Sequence, residues 1–328
     1  MPMSHTMPDL QSILKARSRI EGYIRRTPLQ RAEVISETTG VDTYLKLETL
    51  QPTGSFKIRG ASNSVCTLVE NGQHNGIATA STGNHARAVA HMGNRMGLPV
   101  KVFVAASVPA DRVAALHQLG ATVDNSFADQ SEAICAARNH AEANNFGFIP
   151  PFDHPDVISG QGTAALELWE DLDDIDAVVV PVSGGGLITG VGVAMKELRL
   201  ATTVIGVCAE NAPAMALSLR AGHPVSPPEI DTVATSLMGD LGPDNAYTFP
   251  LAQKCVDEIA TVSESDITSA QRRLRQDAGI AAEAAAAAAL AYLCTHRDRW
   301  QGRKVALLVT GAGDAQSTGD THGQEESR

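Results

Sequence analysis

The sequence is poor in aromatic residues and has no long apolar run. Aromatic residues make up only 4% of the 328 positions, whereas apolar residues as a whole make up 43%. A core of Ala, Val, Leu and Ile is typical of packed parallel α/β layers. No window approaches the roughly 18 apolar residues of a membrane-spanning helix, and residues 1–10 lack the pattern of a secretion signal. We therefore expect a cytoplasmic α/β protein with no membrane partner.

The cysteines form no metal-binding or disulfide pattern, and positive charge is also scarce. The five cysteines are scattered and include no Cys-x-x-Cys pair. This spacing favours reduced thiols over disulfides or a zinc site. The 37 acidic and 26 basic residues give a net charge of −11, so the sequence has no electrostatic footprint for nucleic acid. An anionic ligand must then be held by a local pocket.

Predicted strands and helices alternate along most of the chain, which favours parallel sheets. We expect an α/β fold of two open, mostly parallel lobes with a ligand cleft between them. The larger lobe is predicted to combine residues 1–72 with 152–315, and the smaller lobe to span 73–151. The polar residues 316–328 are predicted to form a disordered tail.

One segment, residues 51–60, joins a predicted strand at 43–48 to a predicted helix at about 55–70. Lys57 therefore lies at a helix N-terminus, where the helix dipole disfavours a cation. Such a lysine is either an exposed ammonium or a group that is kept neutral. A neutral amine is a nucleophile and can form a Schiff base with an aldehyde.

The string Gln-Pro-Thr-Gly-Ser-Phe-Lys-Ile-Arg-Gly at 51–60 resembles the lysine segment of the threonine/serine dehydratase family, whose enzymes depend on pyridoxal phosphate (PLP). These enzymes have the fold type II architecture of the tryptophan synthase β-subunit, which serine racemase also has. The resemblance covers nearly the whole chain, from about Asp9 to Asp314. It implies that Lys57 carries pyridoxal 5′-phosphate as an internal aldimine and that Phe56 lies beside the cofactor ring.

A glycine-rich turn, Ser183-Gly184-Gly185-Gly186-Leu187, lies between a predicted strand and a predicted helix. Glycines there allow backbone N–H groups to point at an anion, and the helix dipole adds to the attraction. The spacing matches neither the dinucleotide fingerprint nor the P-loop, and a plain tight turn would have the same composition. The turn resembles the family's tetraglycine loop, which implies that it binds the cofactor phosphate.

A second turn, Ser81-Thr82-Gly83-Asn84-His85, also opens a predicted helix after a predicted strand. Its amides and polar side chains suit a carboxylate, although the same residues would also cap a helix. The resemblance implies that this turn binds the substrate carboxylate and that Asn84 contacts the phenolic oxygen of the cofactor. Thr82 stands where racemases have serine, so racemisation is a candidate side activity.

The resemblance assigns three further residues to the cofactor. Thr310 ends the last predicted strand and would hydrogen-bond the pyridine nitrogen. A hydroxyl cannot keep that nitrogen protonated, and the weaker electron sink suits β-elimination better than transamination. Glu283, on an Ala-rich helix predicted over 281–295, matches a position near the ring, although a solvated glutamate is the alternative. Phe152 is expected close to the cofactor, on the floor of the cleft.

Two segments bear on metal binding and on the substrate. Some members of the family bind a divalent cation after the strand that ends here at Cys208. Only Glu210 supplies an oxygen ligand nearby, so we expect no metal. Residues 210–245 are predicted to be less regular than the rest, and substrate choice is expected to lie in the irregular stretch 232–249. Within them, 235–245 differ from the Ala-Asp-Gly pattern of simple threonine or serine dehydratases and look more like dehydratases of hydroxyectoine breakdown.

The sequence thus predicts a PLP-dependent ammonia-lyase that eliminates water from a β-hydroxy α-amino acid. Lys57 would act as the base at Cα, and the products would be a 2-keto acid and ammonia. The alternatives are racemisation or β-replacement on the same scaffold. A non-enzymatic, ligand-sensing relative is disfavoured because all four motif groups are present. The resemblance suggests a homodimer or homotetramer.

Overall fold

Ten strands form two sheets in this computed structural model, which describes residues 6–72, 75–199 and 201–313. The tail predicted at 316–328 lies outside the described residues. The strands are β1 (Leu29–Arg31), β2 (Asp42–Leu47), β3 (Ile77–Ala80), β4 (Val100–Ala105), β5 (Thr122–Phe127), β6 (Gly147–Phe148), β7 (Ala177–Pro181), β8 (Thr203–Ala209), β9 (Glu258–Val262) and β10 (Lys304–Val309).

The larger sheet has six strands in the order β1-β2-β10-β7-β8-β9 and is parallel except for β1, which pairs antiparallel with β2. The smaller sheet has the order β5-β4-β3-β6 and is parallel throughout. The predicted α/β fold with two mostly parallel sheets is confirmed. All four strands of the smaller sheet fall inside the range 73–151, although the exact lobe boundaries stay a prediction.

Twelve α-helices connect and cover these strands within the described ranges, and none of them is long and apolar enough to cross a membrane. They are α1 (Leu10–Ile20), α2 (Glu33–Thr39), α3 (Lys57–Glu70), α4 (Asn84–Arg95), α5 (Ala110–Gln118), α6 (Gln130–Asn144), α7 (Pro155–Asp171), α8 (Gly186–Leu198), α9 (Ala214–Ala221), α10 (Thr248–Cys255), α11 (Glu264–Ala278) and α12 (Ala284–Thr295).

Both faces of the larger sheet are buried, as β7 shows. Successive residues of this strand point to opposite sides of the sheet, and each side is covered by a core. Ala177 and Val179 join the core that contains α12, whereas Val178 and Val180 join the core that contains α7 and α8. This two-sided burial explains why the strands are continuous apolar runs in the sequence.

The region 210–245 is less regular than the rest of the chain, yet it contains α9, which begins after Pro213 and ends before Gly222, whose positive φ of 79° closes the helix. One prediction about local structure was wrong. Glu283 does not lie within the Ala-rich helix but immediately before it, with an extended backbone. The cause is tertiary: the Glu283 N–H donates to the Gly311 carbonyl at 3.0 Å, which holds this residue against the end of β10.

A cluster of buried charges lies behind the first turn of α3, and we call it the Arg59 cluster (Arg59, Glu48, Glu167 and Lys46). The Arg59 guanidinium donates to Glu48 at 2.7 Å and 2.8 Å and to Glu167 at 2.7 Å and 2.9 Å. The Lys46 amine lies 2.7 Å from Glu167. Burial opposes the charge on Arg59, but the two carboxylates outweigh it and raise the Arg59 pKa. Two cations and two anions therefore compensate one another inside the protein.

Candidate active site

A cleft of about 1270 Å³ lies where the segments after β3, β7 and β10 approach the start of α3. Ligands of open α/β sheets bind at such carboxyl ends of strands. Every residue predicted for the site lines this cleft, namely Phe56, Lys57, Ser81, Thr82, Gly83, Asn84, His85, Ser183, Gly184, Gly185, Gly186, Leu187, Glu283 and Thr310. The fold therefore brings the four predicted motif groups together, while the role of each residue stays a prediction.

Lys57 is the first residue of α3 and its amine is half-buried. The Nζ atom donates to the Pro151 carbonyl at 2.8 Å and lies 5.3 Å from the centre of the Phe56 ring. Burial lowers the pKa of Lys57 to about 8, although the Glu283 carboxylate acts in the opposite direction. A substantial fraction of this amine is therefore neutral, and nucleophilic, at mildly alkaline pH.

The glycine turn before α8 is packed so tightly that side chains do not fit at its centre. A Cβ atom at Gly184 would lie 2.4 Å from the Phe152 ring. Gly185 has a φ of 90°, and a Cβ there would lie 2.5 Å from Met215. The first amides of a helix have no partner within the helix. The start of α8 is therefore a cradle in which backbone N–H groups can bind an anion of phosphate size.

Ser183 begins this turn, and its hydroxyl donates to the Met238 carbonyl at 3.1 Å. The side chain that replaces the first glycine of the family's loop is thus bonded to the segment that follows the 3-10 helix Thr235–Leu237. It links the glycine turn to the region predicted to select the substrate.

His85 is buried and uncharged at the start of α4. Its Nε2 lies 3.1 Å from the Ile149 carbonyl, and since a carbonyl only accepts, Nε2 carries the hydrogen. Burial, followed by the nearby Lys57, lowers the pKa of His85 to about 3. Nδ1 is then a bare acceptor, and no hydrogen-bond partner for it lies among the described residues.

Glu283 connects the two sides of the cleft. Its Oε1 accepts from the Asn84 amide at 2.8 Å, and its Oε2 accepts from the Ser236 hydroxyl at 2.8 Å. Arg87 donates in turn to the Asn84 side-chain oxygen. Gly311 leaves the necessary space, because a Cβ there would lie 2.6 Å from the Glu283 carboxylate.

Three consecutive residues between the sheets serve different parts of the site. The Pro151 carbonyl accepts from Lys57, and the Phe152 ring packs against the glycine turn. The Asp153 carboxylate accepts from the backbone N–H groups of residues 246, 247 and 248 at 2.7–2.9 Å. This segment therefore fixes the amine, the anion cradle and the start of α10 relative to one another.

The residues of the cleft fit pyridoxal phosphate. Lys57 offers an amine for its aldehyde, and the start of α8 offers amides for its phosphate. Among the described residues that line the cleft, His85 has a buried ring nitrogen, Nδ1, without a hydrogen-bond partner. Such unsatisfied buried groups are uncommon in native proteins and are expected where a ligand completes the site.

Several polar residues of the cleft were not assigned from the sequence, and three of them make hydrogen bonds described above, namely Arg87, Asp153 and Ser236. Arg87 was detectable in principle, because it lies three residues after Asn84 on the same helix and so shares its face. Asp153 falls in the 151–163 segment, where only Phe152 is assigned to the site. Ser236 falls in the 235–245 segment that was singled out for the substrate, but its bond to Glu283 was not predictable because it depends on a tertiary contact.

Within the described ranges, no group of three or more His, Cys, Asp or Glu side chains is arranged to hold a metal ion. Glu210, the oxygen ligand considered above, accepts at 3.1 Å from the backbone N–H of Glu264, next to the start of α11. The expectation that no metal binds there stays a prediction.

Comparisons with known proteins agree with this geometry. The family model described as pyridoxal-phosphate dependent enzyme matches residues 20–311. The chain is 40% identical to an L-threonine ammonia-lyase of Thermotoga maritima, over 93% of this chain and 75% of that protein. The crystal structure of a threonine deaminase from T.th. superposes with a TM-score of 0.86 at 35% identity, covering 93% of this chain and 98% of that one. Serine racemase from Dictyostelium discoideum gives 0.86 at 32% identity, covering 94% and 99%.

Proposed function

Since this chain belongs to the family of pyridoxal-phosphate dependent enzymes, we propose that its cleft removes water from a β-hydroxy α-amino acid and releases a 2-keto acid and ammonia. Its similarity to an L-threonine ammonia-lyase and to a threonine deaminase shows that it is a PLP-dependent lyase. The observation that carries the proposal is the Lys57 amine, whose pKa is lowered to about 8 and which shares one cleft with the glycine turn.

The proposed cofactor contacts come from the family resemblance, and the shared cleft supports them. Lys57 would hold the aldehyde carbon, and the amides of 183–187 would hold the phosphate. Phe56, Asn84 and Thr310 are proposed to surround the ring, together with Glu283. When bound, pyridoxal phosphate supplies an electron sink for the negative charge that develops at the α-carbon of an amino acid.

The chain itself supplies the proton transfer and the orientation of the substrate. The turn at 81–85 is proposed to bind the substrate carboxylate with the amides at the start of α4. The Lys57 amine would take the proton from Cα, because an amine with a pKa near the working pH is an effective general base. Loss of the β-hydroxyl as water then gives an enamine, which hydrolyses to the 2-keto acid and ammonia.

We further propose that the substrate has a longer polar side chain than threonine, as the resemblance to dehydratases of hydroxyectoine breakdown suggests. The segment 235–245 lines the cleft throughout. A cleft of about 1270 Å³ exceeds the ~300–1,000 Å³ of ordinary ligand pockets, which leaves room beyond the cofactor. A hydroxylated diamino acid is therefore the narrower proposal, with threonine and serine as the simpler substrates.

A racemase is the alternative that one observation favours. Thr82 lines the same cleft as Lys57. In a racemase mechanism its hydroxyl would act on one face of Cα and the Lys57 amine on the other. A hydroxyl on the second face could return a proton to Cα with inversion. β-Replacement on the same scaffold has no comparable support.

A substrate panel separates these functions. The purified protein, loaded with pyridoxal phosphate, is incubated with L-threonine, L-serine and 3-hydroxy-2,4-diaminobutyrate. Ammonia and keto acid are measured together with the chirality of the remaining substrate. Elimination gives equal amounts of both products. Racemisation inverts Cα without releasing ammonia, which gives D-serine from L-serine and the Cα epimer from each of the other two substrates. A cofactor-loaded protein that is inert towards every β-hydroxy amino acid would overturn the proposal.

We also propose that the enzyme is cytoplasmic and a homodimer or homotetramer. The scattered cysteines support a reducing compartment, because Cys66, Cys135, Cys208, Cys255 and Cys294 are all free thiols. Light scattering coupled to gel filtration would decide the oligomeric state, and a monomer at micromolar concentration would contradict this part of the proposal.

A further inference from the structure

A continuous chain of side-chain hydrogen bonds crosses the cleft. Arg87 on α4 donates to Asn84 Oδ1, and Asn84 Nδ2 donates to Glu283 Oε1 at 2.8 Å. Ser236, in the 3-10 helix Thr235–Leu237, donates to Glu283 Oε2 at 2.8 Å. The chain begins beside the smaller sheet and ends beside the larger one. Neither terminal residue, Arg87 or Ser236, has a part in the proposed reaction.

The side chains of Arg87 and Glu283 determine the orientation of the Asn84 amide that lies between them. A guanidinium has donors only, and an ionised carboxylate has acceptors only. The Asn84 side chain must therefore turn its oxygen towards Arg87 and its NH₂ group towards Glu283. Without the guanidinium, only the carboxylate would hold the amide in this orientation, and the Asn84 oxygen would lose its charged donor.

We propose that Arg87 is a positioning residue that fixes the Asn84 amide and offsets the charge of Glu283, and that Ser236 anchors the opposite end. The inference rests on one part of the proposed function, namely that Asn84 and Glu283 face the bound cofactor. It assigns to Arg87 the task of keeping an N–H donor, rather than an oxygen, directed at that side of the cleft.

The charge that acts on the Lys57 amine is that of Glu283, which favours the protonated form, and the neighbouring His85 is neutral. Arg87 reaches Glu283 through Asn84, and in this proposal its positive charge partly offsets that carboxylate. Removal of the guanidinium should therefore make the lysine nitrogen, free or joined to the cofactor, easier to protonate. Removal of the Glu283 charge should have the reverse effect.

The test measures cofactor binding and spectrum rather than turnover. Arg87→Met, Arg87→Lys, Glu283→Gln and Ser236→Ala are each loaded with pyridoxal 5′-phosphate. The dissociation constant is measured by fluorescence titration, and the visible absorbance of the bound cofactor is titrated with pH. Thermal unfolding of the cofactor-free proteins shows whether each variant folds.

We expect Arg87→Met to weaken cofactor binding about tenfold, as the loss of one charge-assisted hydrogen bond implies, and to raise the spectroscopic midpoint by roughly 0.5 pH unit or more. Arg87→Lys keeps a charged donor and should restore most of both properties. Glu283→Gln should move the midpoint downwards. Ser236→Ala removes no charge, so it should weaken binding about threefold and leave the midpoint in place.

An Arg87→Met protein with unchanged affinity and midpoint would overturn the inference. A lysine variant that behaves like the methionine variant, with both unfolding at lower temperature, would reduce Arg87 to a structural role and overturn it as well. The spectra do not depend on elimination. A protein that shows these shifts but no lyase activity would therefore disprove the proposed function alone.

Discussion

Two cations that lie two residues apart at the start of α3 have opposite electrostatic surroundings. Arg59 points away from the cleft, and its guanidinium is fully buried between the carboxylates of Glu48 and Glu167. Lys57 points into the cleft, where its amine donates a hydrogen bond to the neutral carbonyl of Pro151. Burial acts against the charge in both, but the carboxylates overcome it only at Arg59. The pKa of Arg59 is therefore raised, and that of Lys57 is lowered to about 8.

The difference shows how one helix start supports both stability and chemistry. The Arg59 cluster fixes the helix to β2 and α7, so the helix does not need favourable contacts from the lysine. The lysine can then be held in a setting that disfavours its charge. A change at Lys57 should therefore leave the stability provided by the Arg59 cluster intact, and a change in that cluster should leave the chemistry of Lys57 intact.

The largest effect is expected from Lys57→Ala. Removal of the amine removes both the cofactor anchor and the proposed base, so turnover should fall by about 10³-fold or more. The folded state should keep its stability, because Arg59 is untouched. Turnover of the most active substrate and the visible spectrum after addition of pyridoxal phosphate check this prediction. Residual activity within tenfold of the unmodified enzyme would contradict it.

Arg59→Met should affect stability instead. The change leaves two carboxylates buried against Lys46 alone, which should lower the free energy of unfolding by about 3–5 kcal/mol. Urea unfolding of the cofactor-free protein measures the loss. Lys57→Met is the matched control, and it should cost less than about 1 kcal/mol because it removes a poorly compensated amine. Equal losses for the two variants would abolish the contrast.

The pH dependence of cofactor uptake should report the lowered pKa directly. Only the neutral amine attacks the aldehyde, so the uptake rate should rise about tenfold per pH unit below pH 8 and level off above it. Stopped-flow mixing of cofactor-free protein with pyridoxal phosphate between pH 7 and about 9.5 measures the rate. A rate that still rises about tenfold per pH unit at about pH 9.5, as for an ordinary lysine with a pKa of about 10.4, would contradict the assignment.

Thr163→Val should give the smallest effect. The Thr163 hydroxyl accepts from Arg59 at 3.1 Å and donates to the Gly160 carbonyl at 2.7 Å. Its loss should cost about 1–2 kcal/mol of unfolding free energy, because Arg59 keeps both carboxylates. Cofactor uptake should be unchanged within error. A shifted uptake midpoint would mean that the two sides of α3 are coupled after all.

Much of the site was predictable because its motifs are local. The turns at 51–60, 81–85 and 183–187 each combine a strand end, glycine and a helix start, and these signals lie within one short stretch. Lys57 was accordingly predicted at the start of its helix and is its first residue.

The compensation of Arg59 was not predictable, since its partners Glu48 and Glu167 come from different elements that meet only after folding. The position of Glu283 before α12 was missed for a similar reason. Its backbone is held by Gly311, whereas helix propensity alone favours an earlier helix start in the Ala-rich run. The helix α9 was hidden by the prolines around it.

The short crossing at 151–153 limits how this enzyme can be altered. One residue added or removed there would displace three groups together. They are the Pro151 carbonyl that accepts from Lys57, the Phe152 ring that packs against the glycine turn, and the Asp153 carboxylate at the start of α10. A designer seeking a new substrate range would do best to vary 235–245 and to leave the three amides held by Asp153 in place.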